Sequence, residues 1–131
     1  MKVKKIVVDS SIIADHLTTT QVESHLRKLS KKYFCYTTVF NAIELFAAAK
    51  SLKETEAVQN AMDALKVLGI NPKSAKNIAS VVTSAKEKDF TSLIAGICIE
   101  SKLPIVTLNK KRYSKIKKLE TIAADDLLIG S

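Results

Sequence analysis

The chain has 131 residues, 47% of them apolar, with 21 Lys and Arg against 13 Asp and Glu and a formal net charge of +8. That length and apolar content fit one globular domain, residues 1–131, with a real core. The longest apolar run, Leu93–Ile99, falls far short of the ~18 residues of a transmembrane helix, and the charge excess points to an anionic partner, most commonly nucleic acid.

The N-terminus carries lysines but too few apolar residues for a signal peptide, so a cytoplasmic protein is expected, with no membrane partner. Ile6-Val7-Val8 then runs straight into Asp9-Ser10-Ser11. So short an unbroken apolar run reads as a strand, Lys4–Asp9, buried on both faces of a parallel sheet. Open parallel sheets bind ligands just beyond the carboxyl ends of their strands, which places the Asp9 carboxylate where chemistry is done. Asp9 or Ser10 capping the following helix, which runs through Leu17, accounts for the same residues.

Thr20 and Glu23 have capping-box spacing and open a helix to about Lys32. Phe34–Val39 is β-branched and aromatic, a second strand. Asn41–Ser51 is an alanine-rich helix, with Asn41 and Glu44 again at capping-box spacing. Glu44 is the only polar side chain between Ala42 and Ala49, and a carboxylate among apolar neighbours needs a partner. Thr55 opens a helix with Val58, Met62, Leu65 and Leu68 on one face, stopped by Gly69, and residues 69–72 form a turn or a very short strand. Ser74 caps a helix that turns Ile78, Ala79, Val82 and Ala85 inward, and Leu93, Ile94, Ile97 and Cys98 mark the next. Pro104–Leu108 is a strand, a helical turn spans Lys111–Ile116, and Leu119–Ala123 is a last strand. Cys35 and Cys98 read as small buried hydrophobes. Strands separated by helices give an α/β fold, a three-layer α/β/α sandwich around a central parallel sheet.

Asp9 and Glu44 both follow strands and so share one edge of the sheet. Two carboxylates there repel unless a cation lies between them, and hard oxygen ligands suit Mg²⁺ or Mn²⁺. Asn109 ends the strand Ile105–Leu108 in the same way, as a site residue or as a simple helix cap. Between Ser101 and Lys118 stand Lys102, Lys110, Lys111, Arg112, Lys115, Lys117 and Lys118, with no acid. Such a run contacts phosphates through charge and carries no base specificity, or it is a solvated face. With only Gly69, Gly96 and Gly130 there is no dinucleotide or Walker pattern.

The succession of Val8-Asp9-Ser10-Ser11, Glu44, Leu93-Ile94-Ala95 and Val106-Thr107-Leu108-Asn109 resembles a PIN domain, most of all the VapC-like toxin ribonucleases. The resemblance implies an acid cluster that holds one or two Mg²⁺ or Mn²⁺ ions and hydrolyses RNA. Asp9 matches the first acid and Glu44 the second, both metal ligands. Ser10, Ser11 and Thr107 match supporting hydroxyls, and Asn109 the polar residue of the Thr-x-Asn stretch. Lys110, Lys111, Arg112, Lys115, Lys117 and Lys118 would bind RNA. A small antitoxin protein and a homodimer are further implied partners, the dimer also by the alanine-rich helices.

Two departures stand out. The family's third acid falls on Thr91, with Asp89 two residues earlier, a rotation of roughly 200° on an ideal helix. Asp89 is a candidate catalytic residue or the N-cap of that helix. The fourth acid falls on Arg112, whose charge would repel a metal. The implied function is therefore a metal-dependent endoribonuclease with a reduced acid set, or a catalytically inactive PIN-fold module that binds RNA or protein.

Overall fold

A computed structural model describes residues 4–85 and 89–129. Five strands run parallel: β1 (Lys5–Val8), β2 (Phe34–Thr38), β3 (Lys66–Leu68), β4 (Ile105–Thr107) and β5 (Thr121–Ala123), in spatial order β3-β2-β1-β4-β5. The first three strands build outward in one direction and β4 returns to the other side of β1. The strand order therefore reverses between β1 and β4, where open α/β sheets hold their ligands.

Helices cover both faces, giving the three layers expected. Ile6 and Val8 point into one core with Ile12 and Ile13 of α1 (Ser10–Thr18), Leu26 and Leu29 of α2 (His25–Ser30), and Leu45 of α3 (Val39–Ala48). Val58, Ala61 and Met62 of α4 (Leu52–Asp63) and Ala124 of α7 (Ala124–Ile129) complete it. Val7 and Ile105 point the other way, against Ala85 of α5 (Ala75–Ala85), Ile94, Ala95 and Cys98 of α6 (Phe90–Ser101), and Tyr113. The alternation along β1 explains its apolar run: every side chain from Ile6 to Val8 is fully buried, at roughly 1.5–3 kcal/mol each. Gly96 lets α5 and α6 approach, since a Cβ there would sit 2.9 Å from Ile78 Cγ2.

Several boundaries differ from the sequence reading. Leu65 and Leu68 are not helical: α4 ends at Asp63, and residues 66–68 form β3. Their spacing fits a helix, but pairing Tyr36–Thr38 with Lys66–Leu68 gives the backbone a ladder that a helix could not offer β2. The short strand thus lies before Gly69, not after it. Ser24, not Thr20, caps α2, accepting from Arg27 N. Thr38, not Asn41, caps α3, so Val39 is the first helical residue and no Asn41–Glu44 capping box forms. Asn71, not Ser74, caps the 3-10 turn Pro72–Ser74 that leads into α5. Ser51, not Thr55, caps α4. Cys35 is half-buried, not buried. The C-terminal helix α7 has no counterpart in the sequence reading. Among the described residues, no helix is long and apolar enough to cross a membrane.

A candidate site at the carboxyl ends of β1 and β4

Asp9 stands at the end of β1 and caps α1. It is only 1% exposed, and both its oxygens are engaged. Oδ1 accepts from Ser11 Oγ at 2.5 Å, Ser11 N at 3.1 Å and Ile12 N at 3.4 Å. Oδ2 accepts from Thr107 Oγ1 at 2.6 Å and from the Tyr113 hydroxyl at 3.2 Å. Tyr113 is 2% exposed, and burial, then the charge of Asp9, push its phenol well up, so it remains a donor. The two hydroxyls also receive backbone protons, Ser11 Oγ from Leu108 N at 3.0 Å and Thr107 Oγ1 from Asn109 N at 2.9 Å. Each hydroxyl has one proton to give, and both are spent on Asp9. The 3.3 Å approach of Ser11 Oγ and Thr107 Oγ1 is thus an oxygen–oxygen contact.

Glu44 lies one and a half turns into α3 and faces the same crevice. Ser10 Oγ donates to its Oε1 at 2.7 Å, and Ser10 Oγ in turn accepts from Asn41 Nδ2 at 2.9 Å. Asn41 is fully buried and its Oδ1 accepts from Thr38 Oγ1 at 2.8 Å, so a four-residue relay orients Glu44. Arg112 completes the arrangement. Its Nη2 reaches Glu44 Oε2 at 2.6 Å and its Nη1 reaches Oε1 at 3.2 Å, a bidentate pair. Its Nε donates to Thr91 Oγ1 at 2.9 Å. Burial alone would lower the Arg112 pKa, but the hydrogen bonds and charge of Glu44 outweigh it and hold it above its ordinary value.

The structure thus joins Asp9, Ser11 and Thr107 in one network and Ser10, Glu44, Thr91 and Arg112 in a second. Asp89 accepts from Thr91 N at 3.0 Å and caps α6. Asn109 precedes the 3-10 turn Lys110–Tyr113, makes no side-chain cap, and is exposed; it meets the network through its backbone N–H. Arg112, grouped with the RNA-binding run in the sequence reading, turns inward to Glu44, while Lys110, Lys111, Lys115, Lys117 and Lys118 stay exposed. Tyr113, Ile116 and Leu119 recur every third residue and anchor that run to the core, leaving its lysines outward. Tyr113 and Asn41 were absent from the sequence-based site, and Thr91 entered it only as the position of a missing acid. The only hint of Tyr113 was its place beside the basic run.

No protein-family model matches the chain, and no curated protein does. Solved structures do. A chain of DNA-bound VapBC from Salmonella typhimurium superposes with a TM-score of 0.77 at 18% identity, over 92% of this chain and 98% of that one. VapBC2 from Rickettsia felis, bound to a fragment of promoter DNA, gives 0.72 at 19% identity, over 90% and 97%. This chain shares their fold, a PIN-like α/β/α sandwich. A toxin–antitoxin complex from Klebsiella pneumoniae gives 0.72 at 14% identity, over 92% and 98%.

The donor set does not fit the divalent ion that this PIN fold implies. Both oxygens of Asp9 already accept protein protons, and both oxygens of Glu44 face a guanidinium. Among the described residues, no three His, Cys, Asp or Glu side chains gather closely enough to hold a metal. Cys98, beneath the crevice, is no substitute: burial pushes its thiol up to about 12, so it stays protonated.

Proposed function

We propose that this chain is a VapC-type PIN-fold protein that binds RNA and does not hydrolyse it with a metal ion. Of the two readings left open by the sequence, the Glu44–Arg112 pair favours the second. A fixed guanidinium supplies the positive charge that two neighbouring carboxylates otherwise require from a cation. It also repels an incoming divalent ion. The positions of the family's third and fourth acids are bonded to each other here, as Thr91 and Arg112, so the two departures form one unit.

Support for RNA comes from the surface beside the crevice. Lys110, Lys111, Lys117 and Lys118 are exposed within a run free of acids, suited to a phosphate backbone and unable by charge alone to read bases. Fluorescence anisotropy with a labelled single-stranded RNA tests the binding, and a cleavage assay of the same RNA with Mg²⁺ and with Mn²⁺ tests the rest. Binding without cleavage is expected; cleavage that requires the ion and Glu44 overturns the reading.

The similar structures described as VapBC and toxin–antitoxin complexes favour a second partner, a small antitoxin-like protein. Pairing of two copies belongs to the same reading. Ile43 on α3 and Leu52 on α4 leave apolar surface exposed for it.

A further inference from the structure

At the opposite end of the sheet from the crevice, Phe34 opens β2 and is 69% exposed, though its strand lies inside the sheet. Burying such a ring is among the larger gains available to a small domain, so its exposure is a departure from economy of packing. Register sets its neighbours. Lys5 pairs with Phe34 across β1, and Lys66 pairs with Tyr36 across β3. With a period of two, Phe34 shares its face with Tyr36, whose ring centroid lies 6.3 Å away at 32°. Lys5 shares the face of Val7 and Lys66 that of Leu68, both of which pack in the same core as Tyr36. An exposed Phe34 ring, backed by the half-buried Tyr36, thus has an exposed lysine on the strand to either side. Toward the opposite face of the sheet, Phe34 and Lys66 also border a cavity of about 290 Å³ lined by Ser30, Tyr33, Cys35 and Leu65.

From this juxtaposition we infer that Phe34, flanked by Lys5 and Lys66, is a stacking platform for a base of single-stranded RNA. A base offers a flat face to the ring and a phosphate on either side to the lysines, the combination by which sheet faces hold single strands without reading sequence. A second copy of the chain could use an exposed phenylalanine too, but two lysines per copy would then meet two more across the contact. The inference rests on the RNA-binding reading above, and adds a second contact remote from Lys110–Lys118.

The chain contains no tryptophan, so Phe34→Trp installs a single reporter. Quenching of that indole by an unlabelled RNA octamer is expected, because stacking places a base against it. Phe34→Ala is expected to weaken octamer binding roughly tenfold with an unchanged salt slope, since stacking releases no counterions. Phe34→Tyr retains the face and keeps the affinity. Lys5→Ala with Lys66→Ala is expected to flatten the salt slope. Circular dichroism checks that each variant is folded. If wild type binds the octamer while Phe34→Ala binds as well and the indole of the Phe34→Trp variant stays unquenched, the platform is overturned and the RNA-binding reading stands. If wild type binds no RNA, both fall. If Phe34→Ala halves the mass in light scattering and leaves RNA affinity unchanged, the ring is a protein contact and the platform is overturned.

Discussion

The Arg112 guanidinium lies in the fork of the Glu44 carboxylate, with Nη2–Oε2 at 2.6 Å and Nη1–Oε1 at 3.2 Å. The side chains are 22% and 27% exposed, dry enough for the pair to matter and wet enough to moderate the cost of assembling it. A double-mutant cycle with Glu44→Ala and Arg112→Ala, read by urea denaturation, should give a coupling energy of about 1–3 kcal/mol. A coupling near zero would mean that the pair is a solvated surface contact.

Asp9 is held by a different kind of network, in which every partner is a neutral donor. Tyr113→Phe deletes one of those donors and keeps the ring, and should cost about 1–2 kcal/mol of unfolding free energy. Asp9→Asn should cost more, because an amide turned toward Ser11, Thr107 and Tyr113 opposes N–H to at least one hydroxyl proton. Thermal melts of the two variants rank them: Asp9→Asn below Tyr113→Phe, below wild type. An unchanged melting temperature for Asp9→Asn would show that Asp9 is not the structural acceptor described here.

The architecture was legible in the sequence because its signals are local. The run Ile6–Val8 and the strand from Ile105 are buried whichever neighbours they acquire, and their polar ends then define the crevice. Glu44 was conspicuous for its isolation among apolar residues. What could not be read was which partner it takes. Arg112 lies 68 positions away, and its lysine neighbours disguised it as one more phosphate contact. Only the reversal of strand order between β1 and β4 brings the two together. Leu65 and Leu68 misled for the converse reason: their spacing is helical, and the strand that Leu65 precedes and Leu68 ends exists only because β2 is there to pair with it.

The joint between α1 and α2 should respond to pH. Ser24 Oγ, which accepts from Arg27 N, lies 2.7 Å from His16 Nδ1 and joins the two helices through that contact. Burial, then the nearby Arg27, lowers the His16 pKa below 6.5. A histidine lowered in the folded state contributes stability that is complete above the unfolded value and is lost as pH falls below it. Between pH 7.5 and 5.5 the urea midpoint of wild type should therefore fall. His16→Gln, which cannot titrate, should lose less over the same range. Burial raises the Asp15 pKa, but the hydrogen bonds and charge of His25 outweigh it and lower it overall, so its contribution is complete above 3.8, is lost only below that value, and does not confound this window.

RNA affinity should follow the outward lysines. Lys110→Ala with Lys111→Ala should weaken binding and reduce the slope of log K against log salt by about 1.4, two single-strand phosphate contacts at about 0.7 each. Anisotropy between 50 and 200 mM salt, on the order of the range where such slopes are resolved, measures it. An unchanged slope would remove these residues from the interface.

On the proposed reading Arg112 and Thr91 take the places of two metal-binding acids, and calorimetric titration of Mn²⁺ into the protein tests the consequence most directly. Wild type should show no binding that depends on Glu44, and the Thr91→Asp, Arg112→Asp double variant should acquire one ion per chain. Stoichiometric binding by wild type that disappears in Glu44→Gln would contradict the account.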